Sequence, residues 1–181
     1  LAAIVALLPL GAVAWRREGG RDAVYFTALA AATLAPLIFV AARHPAAWRT
    51  DLSATLWTTV ATSMVVFAIL AAATREAWRL APLVAPYMAL VALLATLWSH
   101  APDRPLAGGA AASAWVVPHI FAATGAYALV TVAAVAALAA ILQERALKAR
   151  NPTAFTRILP SIADCEVLVV RLLLAAEAVL A

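Results

Sequence analysis

A histidine and two aromatic residues recur at regular spacing in one long apolar segment of the chain. Trp115, His119, Ala123 and Tyr127 stand four residues apart, so a helix would place them on one stripe of its surface. Neutral imidazole is a common axial ligand of haem iron, and apolar side chains hold the macrocycle. The stripe is therefore a candidate haem-binding surface with His119 as the iron ligand. Spacing alone favours a simpler interpretation, in which His119 hydrogen-bonds to a loop carbonyl.

Other polar residues in or beside the apolar segments are weaker candidates for a ligand-binding site or an ion path. Arg104 and Arg49 could pair with haem propionates, because a guanidinium binds a carboxylate through two hydrogen bonds, but contact with lipid headgroups is the default. His100 and His44 fall in loop segments and are expected to be solvated. A hydroxyl-rich segment favours helix packing over an ion path, since no acidic residue accompanies it; it contains Thr55, Thr58, Thr59, Thr62 and Ser63.

Two ionisable residues, Arg171 and Glu177, fall inside the last apolar segment. Charged groups are costly in lipid and usually face the bundle interior or a watery cavity, although Arg171 could also reach towards the cytoplasmic surface. The single cysteine, Cys165, has no disulfide partner in the chain and belongs to no C-x-x-C pair. Thiol chemistry is therefore not expected.

The composition requires a membrane environment. Hydrophobic residues make up 66% of the 181 residues, charged residues make up 12%, and the mean hydropathy is +0.97. A soluble domain is about half apolar and a quarter charged, so this chain cannot cover itself with polar surface. The net charge of +4 is scattered among apolar runs, which argues against nucleic acid as a partner and for lipid. No nucleophile–base pair, phosphate-binding loop or carboxylate cluster is present, which disfavours a hydrolase or kinase.

The apolar runs predict an all-α fold, a polytopic transmembrane helical bundle that forms a single domain over residues 1–181. A helix crosses the hydrocarbon core with about 20 apolar residues, and lipid admits only helices or closed barrels. Ser161 and Asp164, after Pro160, predict a capped helix start. The six predicted spans are residues 1–14, 23–42, 53–73, 80–98, 114–142 and 161–181.

The distribution of Lys and Arg predicts the orientation. The breaks after the first, third and fifth spans contain nine basic residues, and the other two breaks contain three. The positive-inside rule places the first set in the cytoplasm and the start of the chain outside. Trp15 and Trp78 are then expected at the inner membrane interface and His119 at the outer one.

The segment 119–127 reads H-I-F-A-A-T-G-A-Y and resembles the H-V-x-x-x-x-x-S-Y pattern of the cytochrome c assembly membrane proteins, the CcsA and HemX-like family. Ala126 stands where that family usually has Ser. The similarity continues in the same order over residues 53–181, and the segment 75–79 fits the short inner-membrane branch called YpjD-like. The further matching positions are Gln143-Glu144-Arg145, Leu159-Pro160-Ser161-Ile162, Glu166 and Arg171.

The resemblance implies a haem-handling protein of the bacterial inner membrane that takes part in cytochrome c assembly. It implies heme b as cofactor, His119 as an outer axial ligand, and apocytochrome c or other maturation components as partners. We expect this chain to be a fragment of a longer, eight-span protein. In the family, a second outer histidine and, in the synthase members, a tryptophan-rich segment would follow residue 181. An accessory role is favoured over an enzymatic one, and a synthase stays open. The alternatives are a transporter or permease-like subunit and a structural membrane subunit without haem.

Overall fold

The computed structural model describes residues 2–16, 21–43, 51–100 and 116–181, and all of the regular structure in these ranges is helical. The predicted all-α fold is therefore confirmed. Two 3-10 turns, Ala77–Leu80 and Trp98–His100, flank the fifth helix. The helices are α1 (Ala2–Val5), α2 (Leu8–Arg16), α3 (Ala23–Arg43), α4 (Leu52–Ala73), α5 (Ala81–Leu97), α6 (Val116–Lys148), α7 (Ala154–Ile158) and α8 (Ile162–Leu180).

Local sequence explains where several helices begin and end. Asp51 and Ser161 cap α4 and α8, since their side-chain oxygens accept hydrogen bonds from the backbone N–H groups of Ala54 and Asp164. The predicted start of α8 is thus confirmed. The first apolar segment is divided between α1 and α2. Pro9 provides no N–H for the carbonyl of Val5, so one helical hydrogen bond is missing where α1 and α2 meet.

Four helices in the described part of the chain are long and apolar enough to cross a membrane: Ala23–Arg43, Leu52–Ala73, Ala77–Leu97 and Pro118–Lys148. The first apolar segment forms only shorter helices. Helix α8 has 19 residues, but it is too polar to count among these membrane-crossing helices. Its charged residues are Asp164, Glu166, Arg171 and Glu177. The count of six spans stays a prediction.

The long helices alternate in direction, which gives the bundle two distinct ends. Helix α4 is central and packs against α3, α5 and α6, while α1 and α2 pack against α3 and α5. We call the end that contains Arg21, Arg79, Arg145 and Arg157 the basic end. The opposite end, where α3 finishes at Arg43 and α6 begins, is the histidine end.

Aromatic contacts and one arginine hold the bundle together. Tyr25 is buried and its ring meets Trp78 edge-on, with 5.8 Å between ring centroids. Trp78 is only 7% exposed and packs into the core at its end of the bundle, and its predicted level at the membrane interface stays a prediction. The Arg21 guanidinium donates hydrogen bonds of 2.8 Å to Ala71 O and 3.1 Å to Ala72 O. It thereby joins α3 to the carbonyls left free at the end of α4.

Candidate functional site

The histidine stripe lies on the outer surface of α6. The His119 side chain is exposed, Ala123 is half-buried, and Tyr127 is 68% exposed. The other two predicted site residues, Trp115 and Arg104, lie outside the described residues. The described helices therefore leave the imidazole accessible and do not enclose it in a pocket.

Small residues adjoin His119 on α6. Ala122 is half-buried, whereas Ala126 is buried against the bundle and adds nothing to the accessible surface. Gly125 lies on a different side of the helix from His119, and a Cβ built there would meet no atom within 4 Å. The Thr124 hydroxyl donates to Ile120 O at 2.6 Å and is engaged within its own helix. A flat apolar group could approach this part of α6 closely.

The donor set of the described residues fits one face of a haem group. The accessible imidazole has the chemistry of an axial ligand, and the half-buried alanines beside it suit an apolar macrocycle. The residues that the structure describes contain no group of three His, Cys, Asp or Glu side chains able to hold a metal ion.

A small polar cavity, which sequence reasoning missed, lies at the same end of the bundle. Its volume is about 30 Å³, and it is lined by residues that include Arg43, Asp51, Trp57 and Ser99. The Arg43 guanidinium lies over the Phe39 ring at 5.1 Å. The buried indole Nε1–H of Trp57 has no hydrogen-bond partner among the described residues. Arg43 therefore adds a guanidinium at the histidine end, where the sequence had pointed to Arg104 and Arg49.

The hydroxyl groups of α4 are used mainly within the helix. The Thr58 hydroxyl donates to Ala54 O at 2.8 Å, and the Thr62 hydroxyl donates to Thr58 O at 2.8 Å. Thr55 and Thr59 form the same type of bond. Ser63 is buried and its hydroxyl has no partner in the described part of the molecule. This pattern suits helix packing and gives no row of free hydroxyls for an ion path.

The ionisable residues of α8 do not face the bundle interior. Arg171 and Glu177 are both exposed in the described molecule, so neither finds a partner inside this bundle, and whether Arg171 reaches towards the cytoplasmic surface stays a prediction. Helix α8 packs chiefly on α6 and buries only Cys165, Leu172 and Ala176. These residues follow one another at seven-residue and four-residue intervals and form a single stripe, from which the two charged residues are rotated away.

Two of the matching motifs meet at the basic end. The Gln143 side-chain amide donates hydrogen bonds of 3.1 Å to Leu159 O and 3.0 Å to Pro160 O. The Cys165 thiol is buried and lies 3.9 Å from Pro160 O. Gln143 thereby fixes the loop before α8 onto α6. Sequence reasoning identified both motifs but not this contact between them.

The fold and the surface define an all-helical membrane protein with an accessible histidine at one end of its longest helix. Over 185 aligned residues, the chain is 42% identical to an uncharacterized 28.8 kDa protein in the nifR3-like 5′ region of Azospirillum brasilense. The match covers 99% of this chain and 68% of the relative, and the chain belongs to the family of that protein. No family model and no solved structure matches the chain.

Proposed function

We propose that this chain is part of a membrane protein that binds haem through His119 and handles it during the maturation of c-type cytochromes. The observation that carries the proposal is the accessible His119 imidazole at the start of α6. The same segment resembles the histidine motif of the cytochrome c assembly proteins. The contact of Gln143 with Leu159 and Pro160 gives two other matching motifs a shared structural role, which supports the resemblance.

Each residue of the surface has a distinct part in holding haem. His119 coordinates the iron through a ring nitrogen, and Ala122 and Ala123 are small enough for the macrocycle to lie against α6. Tyr127 flanks the group with an aromatic ring, and Trp115 keeps the same proposed role from the sequence. Haem supplies the redox-active prosthetic group that a c-type cytochrome carries.

Guanidinium groups at the same end are suited to the propionates. Arg43 lies at the histidine end and has no carboxylate partner among the described residues, since its recorded contact is with the Phe39 ring. A propionate would gain charge-assisted hydrogen bonds from it. Arg104 keeps the same proposed role from the sequence.

The proposed location is the bacterial inner membrane, with the histidine end on the periplasmic side. Among the described residues, Lys and Arg concentrate at the basic end, whereas Arg43 is at the histidine end. This bias supports a cytoplasmic basic end under the positive-inside rule. His119 then stands on the side of the membrane where c-type cytochromes are completed.

The proposal is tested by purifying the full-length protein in detergent from cells supplied with a haem precursor. We expect a Soret band that weakens or shifts in a His119→Ala variant. The control is Ile141→Ala, an exposed apolar position on the same helix, about 33 Å away at 1.5 Å per residue. The control should keep the wild-type spectrum. Colourless protein in every sample would favour a structural membrane subunit instead.

A further inference from the structure

A groove of about 230 Å³ lies between α2 and α5 on the outside of the bundle, away from the histidine stripe. Its floor is made of small residues, and proline rings and larger side chains form its sides. Gly11 lies where the two helices meet, and a Cβ there would come into van der Waals contact with Ala85 Cβ at 3.4 Å. The lining residues are Leu8, Gly11, Ala12, Trp15, Pro82, Ala85 and Pro86.

The groove runs from the basic end towards the middle of the membrane. Trp15 and Pro82 mark its basic end, and Leu8 and Pro86 lie deeper along α2 and α5. Leu8 and Trp15 are seven residues apart, which is about 10 Å along a helix. The Trp15 ring is half exposed and stacks on Phe155 with 5.0 Å between centroids, as expected for an aromatic residue at the membrane interface.

Three arginines stand close in the sequence to residues at this mouth of the groove. Arg79 is three residues before Pro82 and pairs with Glu76 at 3.2 Å. Arg157 follows Phe155 by two residues, and both Arg157 and Arg75 are exposed. These three guanidinium groups outnumber the carboxylate of Glu76, which pairs with Arg79.

We infer that the groove binds one acyl chain of an anionic phospholipid, whose phosphate headgroup lies among Arg79, Arg157 and Arg75. An apolar space of about 150 Å³ holds a molecule the size of benzene, so the groove accommodates several methylene groups of an acyl chain. The groove has an apolar lining and basic residues near its mouth, a combination that suits an apolar chain joined to an anionic headgroup.

The experiment is native mass spectrometry of the full-length, delipidated protein in detergent, with phosphatidylglycerol and phosphatidylcholine of identical acyl chains. The wild type should bind phosphatidylglycerol more tightly, because each basic residue near a membrane surface favours an anionic lipid by about fivefold. Replacement of Arg79 and Arg157 by Gln should remove most of this preference. Ala12→Leu fills the groove from an exposed position and should weaken binding of both lipids.

The matched control is Ala31→Leu, which adds the same side chain at an exposed alanine of α3 outside the groove. Its lipid binding should equal that of the wild type. The inference is overturned if the wild type binds the two lipids equally, or if Ala12→Leu binds phosphatidylglycerol as tightly as Ala31→Leu does. It is also overturned if Ala12→Leu changes the ratio of monomer to dimer and leaves lipid binding unchanged.

Discussion

The contact between Gln143 and the loop before α8 gives a quantitative prediction. Its side-chain amide donates two hydrogen bonds to the carbonyls of Leu159 and Pro160, which are both buried. A neutral hydrogen bond contributes about 0.5–1.5 kcal/mol net, so Gln143→Leu should cost about 1–3 kcal/mol. That free-energy change corresponds to a fivefold to 150-fold rise in the fraction of molecules in which the loop before α8 has separated from α6.

Cys165 reports this opening directly, because it is the only cysteine of the chain and is 1% exposed. The measurement is the rate at which a thiol reagent labels Cys165 in detergent. The rate should rise in Gln143→Leu and stay close to that of the wild type in Glu144→Gln. The control removes only an exposed pair with Lys148 on the same helix, worth a few tenths of a kcal/mol. Equal labelling of wild type and Gln143→Leu would refute the role of Gln143.

Two further predictions concern the stability of the helical core. Arg21→Leu should lower the free energy of unfolding by about 1–2 kcal/mol, since the carbonyls at the end of α4 lose a cationic donor. Thermal unfolding in detergent measures this loss of stability. An unchanged melting temperature would contradict the role of Arg21. Tyr25→Phe should be neutral or stabilising by about 1 kcal/mol, because the buried Tyr25 hydroxyl has no partner among the described residues. Tyr25→Leu should destabilise in the same assay by removing the ring contact with Trp78. A Tyr25→Phe variant as unstable as Tyr25→Leu would show that the hydroxyl has a partner.

The sequence predicted the long helices well because the length of an apolar run follows from the thickness of the bilayer. The second and third predicted spans, residues 23–42 and 53–73, agree within one residue with α3 and α4. The fifth was too short, since α6 continues to Lys148. Glu144 and Lys148 are polar but good helix formers, and they pair one turn apart.

Lateral packing could not be predicted because hydropathy does not record which helix lies beside which. Trp78 is buried against Tyr25, a contact that hydropathy does not indicate. Helix α8 packs chiefly on α6 and leaves Arg171 and Glu177 exposed, which hydropathy does not indicate either. The position of His119 at the start of α6 followed from the helical pattern. The cavity beside Arg43 and Trp57 forms where the end of α3, the start of α4 and the turn after α5 meet. No local sequence pattern indicates that these three segments are neighbours.

The central claim is that the exposed imidazole of His119 holds haem iron, and restoration by free imidazole tests it most directly. The full-length His119→Gly variant should lose or shift the Soret band. Added imidazole should restore the wild-type spectrum, because the exposed position gives a small ligand access to the space that the side chain leaves. The Ile141→Ala protein should not respond to imidazole. A His119→Gly spectrum identical to that of the wild type, before any imidazole is added, would contradict the claim.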